Sequence, residues 1–343
     1  MSSAIDLLKD LMTYPAPPGK EDLLADHVME ILRSSGLDSH TDSKGNVLVP
    51  IGTDRPPKIV VTAHLDELAL MVTNIDPEGW CSVTNLGGVQ PAKWGEGPVS
   101  LIGRSEVPGI LSFGSSHTED DQATLVQMRE KPLKWNQAKI FTGRSQSELA
   151  EAGIRVGTRA VINCSRRHLT DLGEYVAGYF LDDRADLAAW ILILKELQAH
   201  PISDLPILFA ATVSEEVGGH GALYVLEDYR PEVCIALELG PVVPDSPVRL
   251  NATPTVWVND SYAAAQHEDL ERIASLGHEV QFQALSRGGS DASCASANGL
   301  CARPVTIGIP MENTHGYEII HRDSIDRMVE LTLAYLRTFE QTD

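Results

Sequence analysis

The sequence predicts an α/β protein in which a mixed, mostly parallel sheet is flanked by helices and interrupted by a small β-rich domain. Continuous apolar runs such as residues 208–213 have the length and the small or β-branched composition of strands buried on both faces. Segments with apolar residues at helical spacing alternate with these runs. Between residues 71 and 165 the pattern changes to short β-like pieces rich in glycine and proline, without a long helix.

The composition limits the classes of partner. The chain has 343 residues, enough for one large α/β domain and a smaller one. Its formal net charge of −21, with no basic run to offset it, argues against nucleic acid or an anionic membrane surface as a partner. No segment predicts a transmembrane helix or a signal peptide. Five cysteines without a CxxC pair are typical of reduced thiols, so we expect a cytoplasmic protein.

The chain begins with two predicted helices and two predicted strands. Residues 5–12 and 21–35 carry apolar side chains at helical spacing, and Gly36 is expected to end the second helix in a left-handed conformation. Residues 46–51 and 58–64 are predicted to be strands joined by a turn with two prolines. The second of these strands introduces the first candidate site residues.

Residues 71–165 are predicted to be an inserted β-rich domain that divides a main domain formed by residues 1–70 and 166–343. The predicted strands of the insert are 81–86, 99–102, 109–113 and 159–163. A capping box that starts at Ser145 predicts one short helix, closed by Gly153. Long loops are the alternative, but nearly a hundred structureless residues are uncommon within a compact domain.

The α/β pattern returns at Glu174 and continues to the end of the chain. The predicted strands are 175–181, 208–213, 233–237, 256–258, 279–284 and 304–309. The predicted helices are 185–197, 221–229, 268–275 and 324–339. This alternation predicts that several strand ends meet at one edge of a sheet, where ligands bind in open α/β proteins.

Acidic and imidazole side chains follow several of these strands. The candidates are His64, Asp66, Asp182, Glu215, Glu216, Glu238 and His315. Adjacent carboxylates such as Glu215 and Glu216 repel each other unless they share a cation or a proton. Each motif taken alone has an ordinary alternative: a solvated glutamate pair at the strand exit, or helix capping by Asp182 and Asp183.

The chemistry of the candidates favours a metal site. Carboxylates and imidazoles without cysteine suit zinc, cobalt or manganese in an open hydrolytic site. If one carboxylate bridges, two ions can form the co-catalytic arrangement that aminopeptidases use. Glu238 interrupts an otherwise apolar strand, where a charged side chain is costly without a partner. The spacing of His64 and Asp66 lets a carboxylate hold the second imidazole nitrogen.

Seven short motifs resemble the M42 family of metalloaminopeptidases, the glutamyl-aminopeptidase and tetrahedral-aminopeptidase group. They are PAPPGKED, VTAHLDELALMV, SELAEAGIRVGT, LDDRADLAA, TVSEEVGGHGA, GGSDAS and THGYE. The resemblance covers nearly the whole chain. Each motif alone is weak, whereas seven in the same order are specific.

The resemblance implies a first divalent metal ion held by His64, Asp182 and Glu238. It implies a second ion held by Asp182, Glu216 and His315, so that Asp182 bridges the two. Zinc is the expected metal, with cobalt or manganese as alternatives. The family commonly has aspartate where this chain has Glu238, and the longer side chain predicts an altered metal preference or affinity.

The resemblance also implies the reaction and the assembly. Glu215 would be the general base that takes a proton from the attacking water and returns it to the leaving amine, and Asp66 would orient His64. The expected reaction removes N-terminal residues from short peptides. The insert would be a dimerisation domain, and the homodimers would assemble into a homododecamer. Residues 107–117 match the family only loosely, which leaves the details of the dimer contact open.

Three other functions stay open. A carboxypeptidase or deacylase of the related M20 group shares the two-metal core, but its insertion comes late in the chain, whereas this insert follows His64 and Asp66 closely. A glycosidase needs two carboxylates that flank a sugar and has no need of histidine ligands. A binding or assembly protein that has lost its metals is the non-enzymatic alternative.

Overall fold

The structure of the chain is a computed structural model that describes residues 3–53, 55–115, 117–202 and 205–340. These residues form an eight-stranded mixed sheet with helices on both faces, a closed six-stranded barrel and a three-stranded sheet. The predicted fold class, a mostly parallel α/β sheet with a β-rich insert, is confirmed. Among the described residues, no helix combines the length and the apolar character needed to cross a membrane.

The predicted helices and strands are all present to within a few residues. The helices of the described ranges are α1 (Ala4–Leu11), α2 (Asp22–Ser34), α3 (Pro91–Trp94), α4 (Thr124–Gln127), α5 (Gln146–Glu151), α6 (Leu181–Ala199), α7 (His220–Tyr229), α8 (His267–Ala274), α9 (Asp291–Ala297) and α10 (Ser324–Arg337). The strands of the first half are β1 (His40–Thr41), β2 (Val47–Ile51), β3 (Ile59–His64), β4 (Ala69–Ile75), β5 (Cys81–Leu86), β6 (Gly97–Ile102), β7 (Glu106–Ser112), β8 (Lys139–Phe141) and β9 (Arg159–Ile162). The strands of the second half are β10 (Thr170–Leu172), β11 (Tyr175–Tyr179), β12 (Ile207–Thr212), β13 (Val233–Pro241), β14 (Thr255–Asn259), β15 (Gln281–Ala284), β16 (Arg303–Met311) and β17 (Tyr317–His321). Of these elements, α3, α4, β1, β4, β8, β10 and β17 were not predicted.

The main sheet has the strand order β1-β2-β12-β3-β13-β16-β14-β15. Its centre is parallel, because β12, β3, β13 and β16 run in the same direction. The pair β14 and β15 is also parallel, whereas β2 pairs antiparallel with β1 and β12, and β14 pairs antiparallel with β16. All six residues of β12 are buried, as expected for an interior strand.

The central strands face two separate apolar cores. Val61 and Phe209 pack in the core formed with α1, α2, α6 and α10, where the ring of Trp190 lies 5.8 Å from that of Phe209. Val60 and Leu208 pack in the core formed with α7 and α9. Because helices cover both faces, these strands need continuous apolar sequence instead of alternation.

The insert is a barrel with its own core. Its strands close in the order β4-β5-β8-β7-β6-β9, and side chains such as Leu70, Val99, Leu101 and Ile140 are fully buried inside it. The predicted helix starting at Ser145 is α5, with the expected capping box.

The third sheet differs from the expectation for this part of the chain. The sequence grouped residues 175–181 with the α/β pattern, but the observed strand β11 pairs antiparallel with β10 and β17 in a sheet of its own. Tyr175 faces His321 across this pairing. A five-residue apolar strand does not reveal its partner when that partner lies about 140 positions further along the chain.

Candidate metal centre

Three central strands bring candidate side chains to one edge of the main sheet. His64 is the last residue of β3, and its partner Thr212 ends β12 just before the turn that carries Glu215 and Glu216. Glu238 lies on β13, which runs parallel to β3. The carboxyl ends of these parallel strands meet at the same edge, as the sequence predicted.

Asp182 and His315 come from outside the main sheet. Asp182 lies at the start of α6, where its φ of −74° and ψ of 102° depart from helical values. His315 lies in the turn between β16 and β17, with a φ of 60°. The buried carboxylate of Glu318 accepts the backbone N–H of Asp182 at 3.1 Å and that of His315 at 2.8 Å. One side chain of β17 therefore fixes both candidates relative to each other.

The candidate ligand atoms form overlapping groups, each with all its atoms within 4.8 Å of one another. The groups are Asp182, Glu216 and His315; His64, Glu215 and Glu238; and His64, Asp182 and Asp183. Asp182 links them, because its Oδ1 lies 3.0 Å from Nε2 of His64 and its Oδ2 lies 3.5 Å from Nε2 of His315. The structure thus brings together the six residues to which the resemblance assigned metal binding or base catalysis, with Glu215 in one group with His64 and Glu238.

Asp66 makes contacts that the sequence did not anticipate. Nδ1 of His64 lies 3.0 Å from the backbone carbonyl oxygen of Asp66, whereas the nearest carboxylate oxygen of Asp66 is 3.6 Å away. The carboxylate instead accepts the backbone N–H of Glu215 at 2.8 Å and that of Glu216 at 3.1 Å. Asp66 therefore orients the imidazole mainly through its backbone and holds the glutamate turn with its side chain.

The glutamates of the cluster hold their protons more tightly than ordinary carboxyl groups. At Asp182, burial is outweighed by the hydrogen bond and charge of His64, and the pKa of that carboxyl is lowered. Burial raises the pKa of Glu238 well above its usual value, and repulsion from Glu215 and Asp182 adds to the effect. Burial also raises the pKa of Glu216 to about 7; His315 opposes this shift and Asp182 adds to it. Buried carboxylates that repel one another in this way are stabilised by cations.

The donor set fits a divalent cation. Burial would lower the pKa of His64, but the carboxylates of Asp183 and Asp182 outweigh it and raise that pKa well above its usual value. Among the described residues, Oε1 of Glu216 and Oδ1 of Asp183 are buried and have no hydrogen-bond partner. Unpaired buried oxygens beside imidazole nitrogens, without a thiol in the groups, suit zinc, cobalt or manganese.

A buried charge network behind the site was not predicted. Glu67, which directly follows Asp66, accepts hydrogen bonds from Arg167 at 2.6 and 2.7 Å and from Arg184 at 2.6 Å. Arg184 also donates to the backbone carbonyl of Leu65 at 2.8 Å. All three charged side chains are buried. The position of Glu67 directly after His64 and Asp66 was a sequence signal for such a network. Its two arginine partners could not be identified from sequence, because they lie about 100 positions away.

A glycine pair on the barrel side of the site was also missed. A Cβ atom on Gly88 would lie 2.9 Å from the His315 ring, and one on Gly87 would lie 3.3 Å from Oε2 of Glu216. The segment after β5 therefore approaches the cluster more closely than any side chain would allow.

An open cleft of about 590 Å³ leads to the cluster. Its lining includes the candidates Asp182, Glu215, Glu216, Glu238 and His315. A volume of this size is in the range of sites for small ligands. The arrangement can therefore expose a set of acid and imidazole groups to the end of a short molecule.

Comparison with known proteins identifies the family. A sequence model of the M42 glutamyl aminopeptidases matches residues 45–331. The lysyl aminopeptidase of Pyrococcus furiosus is 27% identical over 358 aligned positions, which cover 98% of this chain and 98% of that protein.

Two solved structures share the fold over almost the full length. The aminopeptidase APDkam598 of the archaeon Desulfurococcus kamchatkensis has a TM-score of 0.86 at 26% identity, covering 99% of this chain and 97% of that one. The TET1 peptidase of Pyrococcus horikoshii, which can assemble into a tetrahedron or a large octahedral shell, has a TM-score of 0.86 at 25% identity, covering 97% and 98%. These matches confirm the resemblance based on the seven motifs. The chain belongs to the M42 glutamyl aminopeptidase family and is a hydrolase of peptide bonds.

Proposed function

We propose that the chain is an aminopeptidase that holds two divalent metal ions and removes N-terminal residues from short peptides. The observation that carries the proposal is the position of Asp182, whose two carboxylate oxygens face the imidazoles of His64 and His315. One acid between two ligand groups is the arrangement that a pair of neighbouring cations requires. The family and the lysyl aminopeptidase relative support a peptide substrate.

The assignment of ligands follows the family resemblance: one of the two proposed sets is itself a group of neighbouring ligand atoms, and the other combines members of the remaining two groups. His64, Asp182 and Glu238 would hold one ion, and Asp182, Glu216 and His315 would hold the other. When bound, the ions would supply Lewis acidity that polarises the scissile carbonyl and stabilises the developing negative charge. Zinc is the proposed metal, with cobalt or manganese as alternatives, because the groups contain oxygen and imidazole donors only.

Glu215 is proposed as the general base. Asp66 fixes its backbone, and its carboxylate lies beside His64 and Glu238. Burial raises the pKa of Glu215 well above its usual value; His64 opposes the shift, and Asp291 adds to it. A raised pKa suits a group that must take a proton from the attacking water and then return it to the leaving amine near neutral pH.

The barrel is proposed as a dimerisation domain, with residues 71–165 inserted into a catalytic domain of residues 1–70 and 166–343. Ile110 and Phe141, paired across neighbouring barrel strands, are 47% and 43% exposed and form an apolar surface. Such a surface suits burial against a second copy. The TET1 peptidase, which can assemble into a tetrahedron or a large octahedral shell, supports a larger assembly, which we propose to be a homododecamer built from homodimers. The unpaired cysteines support a reduced, cytoplasmic setting.

The decisive variant is Glu215→Gln. It should retain two metal ions per chain by elemental analysis and lose nearly all hydrolysis of aminoacyl p-nitroanilides, because the amide cannot accept the proton. Glu227→Gln, on the exposed surface of α7, is the matched control and should keep full turnover. Full turnover by Glu215→Gln would remove Glu215 from the base role. Preference for N-acylated amino acids would favour the M20-type deacylase, and absence of bound metal would favour the non-enzymatic alternative.

A further inference from the structure

The cleft beside the metal-ligand candidates has a mostly apolar wall. The wall is formed by Leu239, Pro241, Val243, Trp257, Tyr262 and Leu285. It begins at the ligand cluster itself, because Leu239 follows Glu238 and donates its backbone N–H to Oε2 of that carboxylate at 2.9 Å. A substrate whose amino end reaches the cluster must therefore place its first side chain near this wall.

The wall is anchored on regular structure. Leu239 and Pro241 belong to β13, and Trp257 belongs to β14. The Tyr262 ring packs so closely on Gly289 that a Cβ atom there would approach the ring to 2.3 Å. Because strands carry Leu239, Pro241 and Trp257 and a close backbone contact positions Tyr262, this part of the apolar surface is largely preformed.

Outside the proposed metal ligands and base, the described charged groups that line the cleft offer no buried partner for a charged substrate side chain. Apart from the ligand candidates and Glu215, two charged side chains are found among the described residues that line the cleft: Asp245 and Arg287. Both are exposed and they have opposite signs. Exposed charges are solvated and screened, so they discriminate weakly between substrates.

We propose that this cleft selects peptides whose N-terminal side chain is apolar and uncharged, of the leucine, methionine or phenylalanine class. The inference rests on the proposed aminopeptidase function and defines its substrate. Apolar side chains gain free energy when they leave water for such a wall, whereas a lysine or glutamate side chain would lose hydration without a buried partner. The chain would then differ from its lysyl aminopeptidase relative and from the glutamyl aminopeptidases that name the family, because it would not prefer a charged N-terminal residue.

The first experiment compares substrates on the metal-loaded wild-type protein. Leucyl, methionyl and phenylalanyl p-nitroanilides are expected to give kcat/KM values at least about tenfold above those of the lysyl, arginyl, glutamyl and aspartyl compounds. Equal or higher values for a charged residue would overturn the inference while leaving the aminopeptidase function intact. If the glutamyl compound gives the highest kcat/KM and Arg287→Gln loses that activity, the exposed Arg287 side chain would be the group that selects the substrate.

The second experiment moves a charge into the wall. Val243 is half-buried in a turn, where a substitution should be tolerated. Val243→Glu is expected to raise the ratio of lysyl to leucyl turnover by about tenfold or more, and Val243→Lys should do the same for the glutamyl to leucyl ratio. Leu23→Glu and Leu23→Lys, at a 47% exposed position of α2, are matched controls that should leave both ratios unchanged.

The outcomes separate the two proposals. If folded Val243 variants of both signs leave the ratios unchanged, the wall does not contact the substrate side chain and the inference fails. If the metal-loaded wild-type protein hydrolyses no compound of the panel, the proposed function fails and the inference fails with it. Opposite shifts in the two Val243 variants, together with an apolar preference in the wild type, would support it.

Discussion

Asp66 and Glu215 are joined by a hydrogen bond in which the Asp66 carboxylate accepts the Glu215 backbone N–H at 2.8 Å. The other carboxylate oxygen accepts the backbone N–H of Glu216 at 3.1 Å. Meanwhile the backbone carbonyl of Asp66 lies 3.0 Å from Nδ1 of His64. A single buried residue thus connects the first candidate ligand to the turn that carries the proposed base.

Asp66→Asn should therefore lower kcat while leaving the fold intact. The asparagine amide keeps only one acceptor oxygen, so one of the two glutamate N–H groups loses its partner. We expect a fall of about 10–100-fold in kcat, the range typical of residues that orient metal ligands. Steady-state kinetics and circular dichroism would measure the two effects.

Asp76→Asn is the matched control for this change, because Asp76 also accepts a backbone N–H, from Trp80 at 2.8 Å, but does so in the barrel. That variant should keep wild-type kcat. An unchanged kcat in Asp66→Asn would show that the turn keeps its position without the carboxylate.

Gly88→Ala should weaken metal binding at the group that contains His315. The added Cβ atom would lie 2.9 Å from the imidazole ring, so the ring must shift. We expect a metal content nearer one ion per chain than two, measured by elemental analysis after dialysis against a weak chelator.

The control for the glycine variant is Gly109→Ala, whose Cβ atom would crowd Ile140 at 2.5 Å in the barrel core. This variant carries a similar steric cost away from the site and should keep its metal. Equal metal content in the two variants would contradict the role assigned to Gly88.

The site residues that lie at the carboxyl ends of the central parallel strands could be predicted from the sequence. The apolar run of β12 and its stop at Glu215 are visible in the sequence, and parallel strands must bring their carboxyl ends to one edge. His64 and Glu238 follow from the same rule, because the neighbouring strands β3 and β13 carry them.

The supporting contacts could not be predicted, because they depend on how distant segments approach. The carboxylate of Asp66 meets the backbone N–H of Glu215 in a turn in which Ser214 has a left-handed φ of 58°, a conformation that the residue type does not predict. Arg167 and Glu67 lie 100 positions apart and meet through tertiary packing. The separate sheet of β11 and β17 was missed for the same reason, since local sequence specifies a strand and leaves its partner open.

Glu67→Ala should strongly destabilise the protein. The substitution leaves the buried guanidinium groups of Arg167 and Arg184 without their counter-charge. We expect the free energy of unfolding to fall by about 3–5 kcal/mol, measured by urea denaturation. Glu227→Ala, which breaks the exposed pair with Arg230, should cost under about 1 kcal/mol. Similar losses of unfolding free energy in the two variants would show that the buried Glu67 network stabilises the protein no more than an exposed ion pair does.

Metal affinity should fall as the pH drops below about 7. Burial raises the pKa of Glu216 to about 7, so below that pH its carboxyl group is mostly protonated in the metal-free protein. A cation must then displace the proton, and each proton released lowers the apparent affinity by about tenfold per pH unit. Above pH 7 this contribution disappears, because the carboxylate is already charged.

Titration calorimetry at pH 6 in buffers of different ionisation enthalpy would count the protons released on zinc or cobalt binding. We expect at least one proton per chain in the wild type and about one fewer in Glu216→Gln, because the isosteric amide has no proton to lose. The difference between the two proteins reports the Glu216 carboxyl group together with its effect on His315, whose pKa that carboxylate raises. Equal proton release in the two proteins would mean that Glu216 does not bind the ion as a carboxylate, and the ligand group of Asp182, Glu216 and His315 would need a different third member.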